Sequence, residues 1–309
     1  MPGKRIHMDG RSSPLVSRRR FARDVLAPAI LFPLLAACGA TGTAPGARRS
    51  KLPSAEAAGL TPKRHDVNGL SIYSLASATP PPNAPTIVLV HGLALSGRYM
   101  IPTAAQLVSH AEVYIPDFPG FGDSDKPEET LNVPGLADAL AAWLGTVLAR
   151  PVALVGNSFA CQIIIDMAAR YPDLLTAAVL QGPTTPPKER TWLDQVVRWR
   201  QNAKFNPPET GEIASEDYKK CGYVRALKTF HYSLVDRPED KLHRVRAPSL
   251  VVRGELDPIC RPEWATQVAR GLPDGELMII PDVAHTLCYT APVQLADASM
   301  DFLAREGLA

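Results

Sequence analysis

The 309-residue chain has no internal repeat, which excludes solenoids and propellers. It has no His/Cys cluster with metal-ligand spacing, and nothing in it calls for a cofactor. It also lacks a long apolar run. The run from Val25 to Ala37 falls short of the roughly 20 residues that a membrane-spanning helix needs, and Pro28 and Pro33 interrupt it. A basic surplus is missing as well, although the net charge is +2. The first 37 residues carry seven Lys/Arg and two Asp, so the remainder is acidic, at −3. That balance excludes a nucleic-acid footprint. Cysteine is sparse, with five residues in all. Hydrophobic residues, at 46%, are enough to build a sizeable core.

The first forty residues read as an address. A basic stretch, Ser17–Arg23, precedes the short apolar run and a group of small residues. This is the layout of an export signal. Arg18-Arg19, Phe21 and Arg23 resemble a twin-arginine signal. Leu35-Ala36-Ala37-Cys38 resembles a bacterial lipobox, which implies lipidation of Cys38 and an exported lipoprotein held to a membrane by its N-terminal lipid anchor, facing the periplasm or the cell exterior. A buried N-terminal helix, a frayed basic tail and a cytoplasmic protein are the competing readings. Residues 39–63, rich in Ala, Gly, Pro, Thr and Ser, read as a flexible tether.

The body, residues 64–309, alternates strands and helices. Residues 65–77 alternate around Asn68-Gly69, a hairpin turn. Thr86–Val90, Ala111–Ile115, Val152–Val155 and Leu175–Leu180 read as strands, and Ile101–Val108, Leu136–Leu148 and Ser158–Arg170 as helices between them. Such alternation predicts an α/β fold, with a mostly parallel central sheet and helices on both faces. The pattern breaks at about 184–245, a polar stretch that holds seven of the twenty Phe/Trp/Tyr residues. It reads as an inserted helical cap. Its aromatic residues either line a pocket or form the cap's own core, and for any single one the core reading is favoured. The sheet pattern resumes at Ser249–Val252 and Leu277–Ile280, with helices near Pro262–Gly271 and Pro292–Glu306.

Gly156-Asn157-Ser158-Phe159-Ala160 follows a buried strand and opens a helix, the context of a nucleophile elbow. Small residues are required two before and two after the serine, because strand and helix cross closely there. With it stand His91-Gly92, Asp117–Ser124, Gly254-Glu255-Leu256-Asp257-Pro258 and Val283-Ala284-His285, each at an expected strand end. Over roughly residues 65–305 the chain resembles the α/β-hydrolase superfamily, whose triad runs Ser, Asp, His in chain order.

The resemblance implies Ser158 as nucleophile, His285 as its base and Asp257 as the group that fixes the imidazole. It implies an oxyanion hole from the backbone N–H groups of Leu93 and Phe159. Ser158 could instead be a helix N-cap, and Asp257 a turn residue. Asp282 is a rival acid, set too close to His285 in sequence. His91 reads as a loop-structuring residue, and His231 and His243 as surface groups. Cys161 reads as a small buried apolar residue. Cys260 and Cys288 each stand three residues after a triad member, and whether they pair in a disulfide that braces Asp257 against His285 is left open by the sequence.

Serine at the elbow argues against the superfamily's epoxide hydrolases and haloalkane dehalogenases, which use Asp. A small-molecule carboxylic ester, thioester or lactone is the leading substrate class. Gly-Asn-Ser-Phe is also similar to carbon–carbon bond hydrolases of aromatic-ring degradation, which would need a cationic cap residue such as Arg190 or Arg198 facing Ser158. Haloperoxidase-like or acyltransferase chemistry shares the triad. A catalytically silent binding lipoprotein is the rival from outside enzymology.

Overall fold

A computed structural model of the chain describes residues 52–309. Eight strands form one sheet in the order β1-β2-β4-β3-β5-β6-β7-β8. They are β1 (Leu60–Val67), β2 (Leu70–Ser77), β3 (Thr86–Val90), β4 (Glu112–Pro116), β5 (Val152–Asn157), β6 (Leu175–Gln181), β7 (Ser249–Gly254) and β8 (Gly275–Ile280). β2 runs antiparallel to both β1 and β4. From β4 through β8 every pairing is parallel. The antiparallel ribbon is closed by Asn68 (φ 55°) and Gly69 (φ 80°), the left-handed pair that a tight hairpin turn demands.

The helices divide between the two faces, and the strands show why. In β3, Val88 and Val90 point into one core while Ile87 and Leu89 point into the other. β5 repeats this with Val152 and Leu154 against Ala153 and Val155. Both sets are buried, so these strands read as unbroken apolar runs. On the first face lie α2 (Val133–Val147), α3 (Phe159–Arg170) and α7 (Pro262–Gly271). On the second lie α1 (Ile101–Leu107), the one-turn α8 (Leu287–Thr290) and α9 (Pro292–Arg305). Each fully buried Leu or Ile side chain stabilises the fold by about 1.5–3 kcal/mol relative to exposure. The α2 start is capped by Asn132, whose side chain accepts from the Gly135 N–H at 3.0 Å.

Between β6 and β7 the chain leaves the sheet as three helices, α4 (Trp192–Ala203), α5 (Pro208–Cys221) and α6 (Tyr223–Val235). Phe230 of α6 is their centre, with the rings of Trp192 and Trp199 packed on it at 4.5 and 4.9 Å. These three aromatic residues serve the cap's own core. Phe205 and Tyr223 are exposed.

One expectation needs correction and one open question closes. The sequence pattern places the end of the tether at residue 63 and the start of the body at 64, but β1 already begins at Leu60, and Ala58 and Leu60 are buried. Leu60 pairs with Ser77, so the register of the hairpin takes five more residues, 60–64, than its alternation suggests. Residues 1–51, with the export signal, Cys38 and most of the tether, lie outside the described residues. The disulfide left open by the sequence is absent, since Cys260 and Cys288 are both free thiols. Cys260 belongs to one core and Cys288 to the other, so the sheet stands between them. Closeness in sequence to two residues that meet did not carry over to their neighbours.

Candidate active site

The loops that follow β3, β5, β6, β7 and β8 meet at the carboxyl edge of the parallel strands, the place where open α/β sheets build their sites. At the end of β5, Ser158 has φ 59° and ψ −115°, a conformation that costs a non-glycine residue about 1–3 kcal/mol. Its N–H donates to the Gln181 carbonyl at 2.8 Å. The tight crossing explains Gly156. A Cβ there would come within 2.4 Å of Ile164 Cδ1 and 3.3 Å of Ala160 Cβ.

His285 Nε2 lies 2.8 Å from Ser158 Oγ, and His285 Nδ1 lies 2.7 Å from Asp257 Oδ2. An ionised carboxylate only accepts, so Nδ1 carries the proton and Nε2 presents its lone pair to the serine hydroxyl. The other carboxylate oxygen of Asp257 accepts from the N–H groups of Ile259 (2.7 Å) and Cys260 (2.9 Å). The turn is braced by the buried Arg253, which donates to the carbonyls of Cys260 at 2.6 Å and Asp257 at 3.0 Å. Gly182 leaves room for the imidazole, because a Cβ at that position would lie 2.9 Å from His285 Cε1. Asp282, the rival acid, is exposed with φ 60°, and Asp257 occupies the place beside the imidazole.

Phe159 is the first residue of α3, so its N–H has no acceptor within the helix and adds to the positive helix end. Leu93 follows Gly92, where a Cβ would lie 2.9 Å from Asn157 Oδ1 and 3.7 Å from Ser158 Cβ. The loop after β3 therefore runs directly beside the elbow. His91 shapes that loop. Its Nδ1 bonds to the Gly92 carbonyl at 3.0 Å and its Nε2 accepts from the Phe118 N–H at 3.1 Å. Burial pushes this imidazole down to about 4. Asp117, buried nearby, accepts from the Gly97 and Asp123 N–H groups at 2.6 and 2.7 Å, and burial pushes its carboxyl up to about 6. Burial likewise raises the thiol of Cys161, three residues beyond Ser158, and keeps it protonated.

Three residues at the site were not legible from motifs. Gln181, at the end of β6, donates to the His285 carbonyl at 2.8 Å and accepts from Asn157 Nδ2. Asn202 and Asn206 come from the cap and reach the loop that carries His285. Arg190 and Arg198, the cations considered for a carboxylate substrate, are engaged elsewhere. Arg190 pairs with Glu239 and Arg198 with Glu189. His231 is half-buried and His243 exposed.

The alpha/beta hydrolase family profile matches residues 87–298, and the chain belongs to that family. It is an enzyme of the serine-hydrolase fold type. Among its relatives, the (E)-2-((N-methylformamido)methylene)succinate hydrolase of Acinetobacter baylyi is 25% identical over 236 residues, covering 70% of this chain and 89% of the relative. The pimeloyl-acyl-carrier-protein methyl ester esterase of Nitrosospira multiformis is 24% identical over 240 residues, covering 67% and 90%. In structure, the chain is similar to a membrane phospholipase A described as a bacterial virulence factor, with a TM-score of 0.71 and 21% identity over 94% of this chain and all of that one.

Proposed function

We propose that the protein hydrolyses a small or medium carboxylic ester, thioester or lactone through an acyl-enzyme on Ser158. The observation that carries this reading is the hydrogen-bonded line from Ser158 Oγ through His285 to Asp257, with the serine raised on a strained elbow. His285 takes the hydroxyl proton as Oγ attacks the carbonyl carbon. The N–H groups of Phe159 and Leu93 receive the developing oxyanion. His285 then returns the proton to the leaving group, and the cycle repeats with water to release the acid. Asp257 holds the tautomer and stabilises the imidazolium.

The methyl ester esterase among the relatives supports an ester substrate. Against the carbon–carbon bond alternative stands the engagement of Arg190 and Arg198 by carboxylates, which neutralises the cations that a dienol acid would need. The decisive assay is hydrolysis of p-nitrophenyl esters across acyl lengths, wild type against Ser158→Ala. Activity that disappears in the variant supports the nucleophile, and the preferred length sizes the pocket. Equal background rates in both proteins would return the carbon–carbon and binding readings to first place. Export and lipidation at Cys38 belong to the same proposal. Incorporation of labelled fatty acid that Cys38→Ala abolishes is the expected result.

A further inference from the structure

The main chain of His285 is held from both sides by side-chain amides. From the sheet, Gln181 Nε2 donates to its carbonyl at 2.8 Å. From the cap, Asn202 Oδ1 accepts from its N–H at 3.1 Å. Asn202 is 83 residues away in sequence, in the last turn of α4, and only 6% exposed. The directions of the neighbouring bonds agree with this. A backbone N–H can only donate, so Asn202 must turn its oxygen toward His285 and its nitrogen toward Thr286. Asn202 Nδ2 donates to Thr286 Oγ1 at 3.4 Å, and that hydroxyl donates in turn to Asn206 Oδ1 at 2.6 Å. Two cap residues thus grip two consecutive residues of the loop after β8, and one of those is the base.

We propose that Asn202 is a positioning residue, through which the seated cap sets the orientation of His285 toward Ser158. The idea rests on the reading of His285 as the base. α4 is fixed to α6 through Trp192 and Trp199 on Phe230, so these two helices form one packed body. If that body lifts, the N–H of His285 loses its acceptor, and the 2.8 Å approach of Nε2 to Ser158 Oγ loses one of its two main-chain supports. Alignment of the base, and with it turnover, is therefore tied to closure of the cap over substrate. The sheet-side bond from Gln181 does not depend on the cap and keeps the loop in place while the cap is open.

The test uses the full chain with p-nitrophenyl acetate, and with a fluorophosphonate that labels an activated serine. Asn202→Leu keeps the volume and removes the acceptor, whereas Asn202→Asp keeps an acceptor oxygen. The expected result is a loss of about ten- to a hundredfold in kcat and in labelling rate for Asn202→Leu, since small misplacements of a catalytic group cost on that scale. KM should stay within about twofold, and Asn202→Asp should recover most of the loss. An unchanged kcat in Asn202→Leu, a loss carried by KM, or equal losses in both variants would overturn the proposal. Should Asn202→Leu fail to fold, Asn206→Leu, which removes the acceptor for Thr286, is expected to show the same split between kcat and KM, and an unchanged kcat there would overturn the proposal. A wild type whose Ser158 is not labelled removes the underlying serine-hydrolase reading, and the proposal with it.

Discussion

His91 is expected to make folding stability depend on pH in a window that can be calculated. The imidazole is 1% exposed, edge-on to Phe118 and Phe121, with one nitrogen donating to Gly92 and the other accepting from Phe118. Protonation would set an N–H against the N–H of Phe118 and place a charge in a dry interior. The folded chain therefore resists the proton until about pH 4, whereas the unfolded chain takes it up near 6.5. Between those values the unfolded state binds more protons, so stability falls as pH falls. The gap is worth about 3 kcal/mol. Asp117 acts in the opposite sense. Its carboxyl is raised from 3.8 to about 6, so the folded state takes up that proton first and gains stability over much the same range. The two effects nearly cancel in the wild type. His91→Gln, which can still accept from Phe118, removes the first and leaves the second. Urea unfolding between about pH 7 and about pH 4 should show the variant gaining on the wild type by about 3 kcal/mol as the solution is acidified. Parallel curves for the two proteins would refute the reasoning, because the imidazole would then carry the same charge folded and unfolded.

Asp257→Asn is expected to lower kcat by about four orders of magnitude with the fold intact, because the amide favours the wrong imidazole tautomer; steady-state kinetics with a p-nitrophenyl ester and a thermal melt check both halves. Gly254→Ala should damage the site from behind. Its Cβ would meet the Val283 carbonyl oxygen at 2.3 Å and that of Ala284 at 2.6 Å, so the loop before His285 must shift. A loss of about 1–3 kcal/mol in urea unfolding, together with a drop in kcat, is the expected outcome. Asp217→Ala removes a buried carboxylate of α5 that accepts from Ser96 N–H, Ser96 Oγ and Arg98 Nε. It should cost about 1–3 kcal/mol by the same measurement and lower kcat, because the loop it holds leads back to Leu93.

The parts of the fold that sequence makes legible are those in which one segment suffices. The β3 run Thr86–Val90 had to be buried on both faces because it alternates nothing, and its two faces do feed two cores. Asn68-Gly69 announced its hairpin because few other residues accept two consecutive positive φ angles. Ser158, Asp257 and His285 were legible as local motifs at strand ends, and their approach to one another followed from strand order. Asn202 carried no such signal. A single Asn in a polar helix is as compatible with solvent as with a catalytic loop, and only the path of the cap across the sheet edge decides. The Cys260–Cys288 pairing stayed open for the complementary reason. Three residues past Asp257 the chain has turned into one core, while three past His285 it has entered the other. Leu60 is hidden by charged neighbours such as Lys63 and Arg64 in an edge strand that exposes half of its residues.

The cap is attached at several points along the sheet edge. Lys220 pairs with Asp123 and Arg225 donates to the carbonyls of Pro127 and Glu129 in the loop after β4, and two further attachments fall on loops at the site. α5 holds the loop after β3 through Asp217, and α4 holds the loop after β8 through Asn202 and Asn206. The first of these loops contains the Leu93 N–H and the second contains His285. Arg190–Glu239 and Arg198–Glu189 join segments within the insertion, whereas Arg261–Glu189 ties its start to the loop after β7, which carries Asp257. With the roles proposed for Leu93 and His285, displacing the cap would loosen the proposed oxyanion donor and the proposed base at once. Substrates that fill the space beneath the cap without lifting it should therefore be turned over fastest. Those long enough to prop it open should bind and yet react slowly, so kcat, rather than KM, should fall as the acyl chain passes the length the pocket can hold.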